Sequence, residues 1–123
     1  GLKEGCEKVI SGGPMMGFAM YTTDTPITKT SSSILCMSKD EVSACEPTAC
    51  INCGRCVDAC PSRIIPSRLA DFAERHDEEA FLKFNGLECV ECGSCSYVCP
   101  AKRQLKQAIG SMRKTALANK KKK

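Results

Sequence analysis

Apolar positions recur with a helical period in the second half of the chain, and they predict three helices. The first predicted helix starts near Pro66, with Ser67 as its N-cap. Its apolar face repeats at three- and four-residue intervals from Leu69 to His76. This periodicity predicts a helix that buries one face, with His76 at the edge of that face as a partly buried structural residue.

Two further helices are predicted after the first. Asp77 caps the second of the three, two glutamates suit its positive N-terminal end, and the pair Asn85 and Gly86 ends it. The third follows Pro100 and runs to about Ala118. Its apolar stripe consists of Leu105, Ile109, Met112 and Ala116.

The first part of the chain has a different pattern. Residues 8–10 predict a short strand that runs into a Ser-Gly-Gly-Pro turn, and residues 27–36 predict an extended strand or linker. Three methionines and a phenylalanine between positions 15 and 20 are expected to fill a core. We therefore predict a mainly α fold with three parts: a short β-rich remnant at 1–44, a helical domain at 45–118 and a basic tail at 119–123.

Eight of the 11 cysteines repeat one spacing twice. Each copy reads Cys-x2-Cys-x2-Cys-x3-Cys-Pro, with glycine after its second cysteine. The copies consist of Cys50, Cys53, Cys56 and Cys60, and of Cys89, Cys92, Cys95 and Cys99. Three cysteines at this spacing can wrap a short loop round one corner of a cubane iron–sulfur cluster. In two-cluster domains the fourth thiolate comes from the last cysteine of the other copy.

We therefore expect two [4Fe-4S] clusters with exchanged ligands. The first cluster is predicted to bind Cys50, Cys53, Cys56 and Cys99. The second is predicted to bind Cys89, Cys92, Cys95 and Cys60. The exchange would join the two halves of the domain, so cluster binding and folding should be one event. Helices between and after the motifs favour an α-helical ferredoxin-type domain over the small βαββαβ ferredoxin.

Zinc and disulfides are the alternatives to clusters. Structural zinc usually joins two separated Cys-x-x-Cys pairs that lack a third cysteine at this spacing. Disulfides need an oxidising compartment, whereas cluster thiolates need a reducing one. Haem attachment is excluded, because the chain has no Cys-x-x-Cys-His sequence. Cys6, Cys36 and Cys45 lie outside both copies and are interpreted as small apolar packing residues.

The charged neighbours of the two motifs differ in sign. Arg55 and Arg63 lie beside the first motif, and Glu88 and Glu91 lie beside the second. Positive charge stabilises the reduced state of a cluster, so the first cluster is expected to be the easier one to reduce.

Charge is also divided unevenly along the chain. The net charge is +4, and residues 101–123 hold nine of the 18 basic residues and none of the 14 acidic ones. The simpler interpretation of the tail is a solvated end, and the alternative is docking to an acidic partner or an anionic membrane surface. Nucleic acid is disfavoured, because no aromatic residues interleave with the basic ones. No signal peptide is visible, and no apolar run approaches the roughly 18 residues of a membrane span.

Four strings together resemble the C subunit of the Rnf electron-transport complex, over nearly the whole chain. They are Gly-Gly-Pro-Met-Met-Gly at 12–17, Ile-Thr-Lys-Thr at 27–30, and the cysteine motifs at 50–61 and 87–100. Many α-helical ferredoxin domains share the cysteine motifs, whereas the combination in this order resembles the C-terminal part of that Rnf protein. The resemblance implies that residues 1 to about 35 are the end of a β-grasp domain. It also implies that FMN and NAD bind only in an N-terminal region missing from this chain.

The resemblance implies an electron-transfer module of a ferredoxin–NAD oxidoreductase that couples redox chemistry to ion translocation. Its partners would be other subunits of the complex. It would be a peripheral protein on the cytoplasmic side of the membrane. No catalytic residue is expected in this chain. The alternatives are a heterodisulfide-reductase-like iron–sulfur protein, a soluble two-cluster ferredoxin and a zinc-stapled interaction module. The string at 12–17 argues against the first of these, since such a protein would not carry it.

Overall fold

The computed structural model describes residues 4–42 and 44–122. It divides the chain into two compact units, Gly1–Glu46 and Pro47–Lys123. The last residue of the predicted basic tail lies outside the described residues.

The first unit contains a three-stranded antiparallel sheet. Its strands are β1 (Lys8–Ser11), β2 (Phe18–Met20) and β3 (Ile34–Met37), in the order β2-β1-β3. Val9 of the central strand pairs with Met20 on one side and with Cys36 on the other. The strand predicted at residues 8–10 is therefore found as β1, whereas only the end of the stretch 27–36 lies in a strand, β3.

Several apolar residues of this sheet unit are exposed, contrary to expectation. Met16 and Phe18 are 55% and 54% exposed, so they do not fill a core. Cys36 and Cys45 are also exposed, and their interpretation as packing residues is wrong. Met16 and Cys45 lie outside the strands, and the small sheet buries little more than Ile10.

The second unit is helical, as predicted. Its five helices, with a 3-10 turn at Gly86–Glu88 before the fourth, are α1 (Arg55–Asp58), α2 (Pro66–Glu74), α3 (Glu78–Lys83), α4 (Ser94–Tyr97) and α5 (Leu105–Lys122). The core of the unit centres on Leu69, Phe81 and Ile109, which have no exposed surface. The predicted stripe of α5 is buried throughout, and the predicted face of α2 is buried at Leu69 and Ala73.

The ends of α2 differ from the prediction. Its N-cap is Ile65, because Pro66 takes the first helical position, where a missing N–H costs nothing. At the other end the N–H of His76 donates to Ala73 (3.1 Å) and that of Asp77 donates to Phe72 (2.9 Å). These two hydrogen bonds end the helix, and His76 has a φ of 57°. His76 is therefore exposed, and the prediction of a partly buried histidine is wrong.

The next two helices follow the predicted signals more closely. The carboxylate of Asp77 accepts a hydrogen bond from the N–H of Ala80 (3.0 Å), which caps α3. Asn85, with a φ of 58°, ends that helix. Helix α5 continues to Lys122, beyond the predicted end near Ala118. Asn119 donates to Glu78 (2.7 Å) across 41 residues, a tertiary contact that supports the extra turn.

The two halves of the helical unit repeat one plan with an offset of 39 residues, the distance from Cys50 to Cys89. At this offset α1 corresponds to α4, and the start of α2 corresponds to the start of α5. Corresponding helices pack together, α1 against α4 and α2 against α5. The halves are therefore interlocked, and each completes the other's core.

Polar contacts also join the halves. Arg103 donates to Asp71 (2.9 Å) and Glu74 (2.8 Å) on α2, while the N–H of Thr48 donates to the carbonyl of Ala101 (2.9 Å). Burial acts to lower the pKa of Arg103, but the hydrogen bonds to Glu74 and Asp71 outweigh it and raise the pKa. Arg103 therefore stays charged and ties the segment after the second motif to the helix after the first.

Candidate metal centre

The two cysteine loops have the same backbone conformation. Gly54 and Gly93 have φ of 78° and 84°, a left-handed conformation that glycine adopts without strain, and each precedes a one-turn helix. Asn52 and Glu91, at corresponding positions, also have positive φ, 53° and 55°. Since non-glycine residues rarely adopt this conformation, its recurrence shows that both motifs fold into one specific loop.

The match extends past the last cysteine of each motif. Arg63 and Lys102 have φ of 52° and 53°. Cys56 and Cys95, the third cysteine of each loop, are equally buried at 9% exposure. The two loops therefore present their cysteines in the same way, and a group that binds one loop could also bind the other.

Four cysteines of the second predicted set line one cavity. Cys89, Cys92 and Cys95 come from the second loop, and Cys60 comes from the end of the first motif. The volume of this cavity is about 20 Å³. The fold thus brings the last cysteine of the first motif to the loop of the second, as the exchanged arrangement requires.

For the first predicted set the structure gives a less direct picture. Cys50, Cys53 and Cys56 share one loop by sequence. Cys99 is half-buried and packs against the core cluster that contains Cys56. It follows α4, the helix that packs against α1. By the internal repeat, Cys99 is therefore expected to lie beside the first loop, just as Cys60 lies beside the second.

Burial and hydrogen bonds set the acidity of the second group of thiols. Burial raises the pKa of Cys89, although the N–H of Glu91 donates to its Sγ (3.4 Å). Burial likewise raises the pKa of Cys95 to about 11. The contact with the Ser94 hydroxyl (3.5 Å) lowers the pKa of Cys92. At neutral pH Cys89 and Cys95 are therefore thiols, and binding to a metal would release their protons.

The donor set suits an iron–sulfur cluster. The metal-ligating side chains expected at each centre are cysteines alone, and thiolates are the ligands of [4Fe-4S] clusters. Within residues 4–42 and 44–122, no three His, Cys, Asp or Glu side chains are grouped as ligands of a single metal ion. In a cubane each thiolate binds a different iron atom, so its four sulfurs need not converge on one point.

Two charged groups near the second loop were not predicted from the sequence. Lys106, at the start of α5, is 3% exposed and lines the same cavity as the four cysteines. Arg113 donates to Glu91 (3.1 Å) and to the carbonyl of Leu87 (3.1 Å), and so holds this loop against α5. The sequence repeat could have indicated Lys106. This residue lies 39 positions after Ser67, so the second half has a lysine where the first half has a serine.

Helices long and apolar enough to cross a lipid bilayer do not occur in the part of the chain that the structure describes.

Comparison with known proteins identifies the cysteine-rich region. Residues 49–103 match the model of the 4Fe-4S dicluster domain. The chain is 44% identical over 115 residues to the C subunit of a Na(+)-translocating ferredoxin:NAD(+) oxidoreductase complex of Acetobacterium woodii. It is 52% identical over 110 residues to the C subunit of a proton-translocating ferredoxin:NAD(+) oxidoreductase complex of Clostridium ljungdahlii. The C subunit of an ion-translocating oxidoreductase complex of Yersinia pestis is 44% identical over 72 residues.

These matches cover most of this chain but little of the relatives. They span 94% and 89% of the chain for the first two proteins, but 26% and 24% of those proteins themselves. The Yersinia match covers 58% of the chain and 12% of the relative. The chain thus spans about a quarter of the length of the first two. The resemblance seen in the sequence is confirmed: the chain is homologous to one segment of the C subunits of ion-translocating ferredoxin:NAD(+) oxidoreductases, and residues 49–103 of the chain match the 4Fe-4S dicluster domain.

Proposed function

We propose that this chain transfers single electrons through two [4Fe-4S] clusters, as part of a ferredoxin–NAD oxidoreductase complex that couples redox chemistry to ion translocation. The observation that carries the proposal is the cavity lined by Cys60, Cys89, Cys92 and Cys95, in a unit whose two halves repeat one loop. The names of the relatives support the role of the complex. They also differ in the coupling ion, sodium in one and protons in the other.

Bound clusters would supply one-electron redox chemistry, while the protein sets their position, burial and potential. We assign Cys50, Cys53, Cys56 and Cys99 to the first cluster. We assign Cys89, Cys92, Cys95 and Cys60 to the second. The packing of α1 on α4 and of α2 on α5 holds the two loops close together, which short-range electron transfer requires.

The remaining proposals concern the complex. The first unit is the end of a β-grasp domain. FMN and NAD bind to parts of the complete protein outside this chain. Other subunits are the partners, and the protein lies on the cytoplasmic side of the membrane. Lys120 and Lys121, exposed at the end of α5, support docking to an acidic partner or an anionic membrane surface.

Metal analysis of anaerobically reconstituted chain tests the cofactor. Two cubanes require about eight irons and eight sulfides per chain. A brown protein with this content and EPR signals of two reduced clusters is expected. Stoichiometric zinc without iron in anaerobic material would overturn the proposal.

Paired cysteine variants test the exchanged ligation. Cys60→Ala should damage the cluster of the second loop and leave that of the first loop less affected. Cys99→Ala should do the reverse, and Cys36→Ala, outside both motifs, should change neither. Iron content and the EPR spectra of the reduced variants separate the two clusters. Selective loss of the first-loop cluster in Cys60→Ala contradicts the assignment.

A further inference from the structure

Lys106 is a buried basic residue within the wall of the second cavity. It is 3% exposed, although lysine is almost never fully buried in proteins. The cavity that it lines is the one that contains Cys60, Cys89, Cys92 and Cys95. A cation at this place acts on whatever the four cysteines hold.

The backbone fixes Lys106 in this position. Its N–H donates to the hydroxyl of Ser96 (2.9 Å), a residue of α4 next to Cys95. The start of α5 is thereby joined to the helix that carries the third cysteine of the loop. Lys106 follows Leu105, which is 2% exposed and anchors the helix in the core.

We propose that the ammonium group of Lys106 raises the reduction potential of the cluster bound in this cavity. The proposal rests on the proposed function, that is, on clusters being bound. A cubane with four thiolate ligands is anionic, and reduction by one electron adds one negative charge without changing the ligands. A nearby positive charge therefore stabilises the reduced form more than the oxidised form. Burial strengthens the effect, because little water screens the charge.

The other charges around the loop have weaker effects. Glu91 also lines the cavity, but its carboxylate pairs with Arg113 (3.1 Å). Arg55 and Arg63, beside the first motif, are exposed, so solvent screens their charge. Among the residues that line the cavity, Lys106 is the one with a positively charged side chain.

The repeat makes this an asymmetry between the two centres. The residue of α2 that corresponds to Lys106 is Ser67, which carries no charge. Loops of one conformation are thereby placed beside different electrostatic groups. We infer that the second cluster is the easier one to reduce, which reverses the order expected from the sequence.

The test removes the charge in the full chain reconstituted with clusters. Lys106→Met and Lys106→Gln are compared with the unchanged protein in EPR-monitored titrations with dithionite as electron donor. Lys114→Met, which removes a lysine from the exposed side of the same helix, is the matched control. Lys106→Arg keeps the charge. Cys92→Ser alters a ligand of the second cluster, and the midpoint that it shifts identifies that cluster.

Loss of the charge should make reduction of the second cluster at least tenfold less favourable, a fall of about 59 mV for a one-electron couple. The midpoint potential of the first cluster should change much less in these variants. In Lys114→Met and Lys106→Arg, both midpoint potentials should change much less. The inference is wrong if both charge-removing variants keep iron content and both midpoints unchanged, or if they shift only the first cluster. Iron and sulfide content is measured separately. If the unchanged protein binds no clusters at all, that result counts against the proposed function instead.

Discussion

Gly86 lies three residues before the first cysteine of the second loop, against the buried ring of Phe81. A Cβ added at Gly86 would lie no more than 2.5 Å from three carbons of that ring. Carbon atoms in contact normally stay about 3.5–4.0 Å apart, so the overlap is about 1 Å or more. Phe81 has no exposed surface and cannot swing out to solvent. Gly86→Ala should therefore overpack the core at the entrance to the second loop.

The expected cost is about 2 kcal/mol, within the usual range for an extra carbon in a filled core. For a unit of this size, that corresponds to an apparent melting temperature lower by about 8–16 °C. Thermal unfolding of anaerobic protein at one fixed heating rate gives the shift. Iron content should fall mainly through the second cluster, because the displaced backbone leads directly to Cys89.

Two further variants show whether crowding is the cause. Gly13→Ala, where an added Cβ meets nothing within 4 Å, should change the melting temperature little. Phe81→Leu combined with Gly86→Ala should recover part of the loss, since leucine lacks the ring atoms that clash. The packing argument for this site is wrong if Gly86→Ala has the same melting temperature as the unchanged protein, or if Phe81→Leu recovers none of the loss.

Two other predictions concern the contacts of α5. Arg113→Met should lower stability by about 1–2 kcal/mol, because it leaves Glu91 and the carbonyl of Leu87 without their donor, and thermal unfolding measures it. The same variant should lower the potential of the second cluster, because the charge of Glu91 is then unpaired; an unchanged midpoint would contradict this. Deletion of residues 120–123 should leave iron content and melting temperature nearly unchanged but weaken binding to anionic vesicles at low salt, a loss that shrinks as salt rises. Equal vesicle binding at low salt would show that the tail is only a solvated end.

The sequence predicted features that depend on local spacing. The cysteine motifs could be recognised because three cysteines of each loop lie within seven residues, and the helical faces because their period continues through Leu69 and Ile109. Features that depend on tertiary contacts were missed. His76 appeared to continue a helical face, but hydrogen bonds at the end of α2 turn the chain there. Helix α5 outlasts its apolar stripe because Asn119 reaches Glu78.

Burial of charge was the least predictable feature of the site. Lys106 follows the first residue of a helix, where a lysine is ordinarily solvated, and only the fold turns it toward the cysteines. Glu91 gave a misleading signal, since its sequence neighbours do not reveal Arg113, 22 residues away. The exposed methionines of the first unit were misjudged for a similar reason. Met15 and Met16 lie in the turn before β2, and apolar character predicts burial only where other parts of the protein cover such a turn.

The interlocking of the two halves has a consequence for the order in which the protein is made. The first loop and α2 leave the ribosome 39 residues before their counterparts, the second loop and α5. At about 5–20 residues per second, the early half waits roughly 2–8 s for its packing partner. During that interval Leu69 has no α5 to pack against, and Cys60 has no second loop to meet. The nascent chain therefore passes through a stage at which its thiols are open to oxidation, and a cell low in oxygen or rich in thiol reductants lowers that risk.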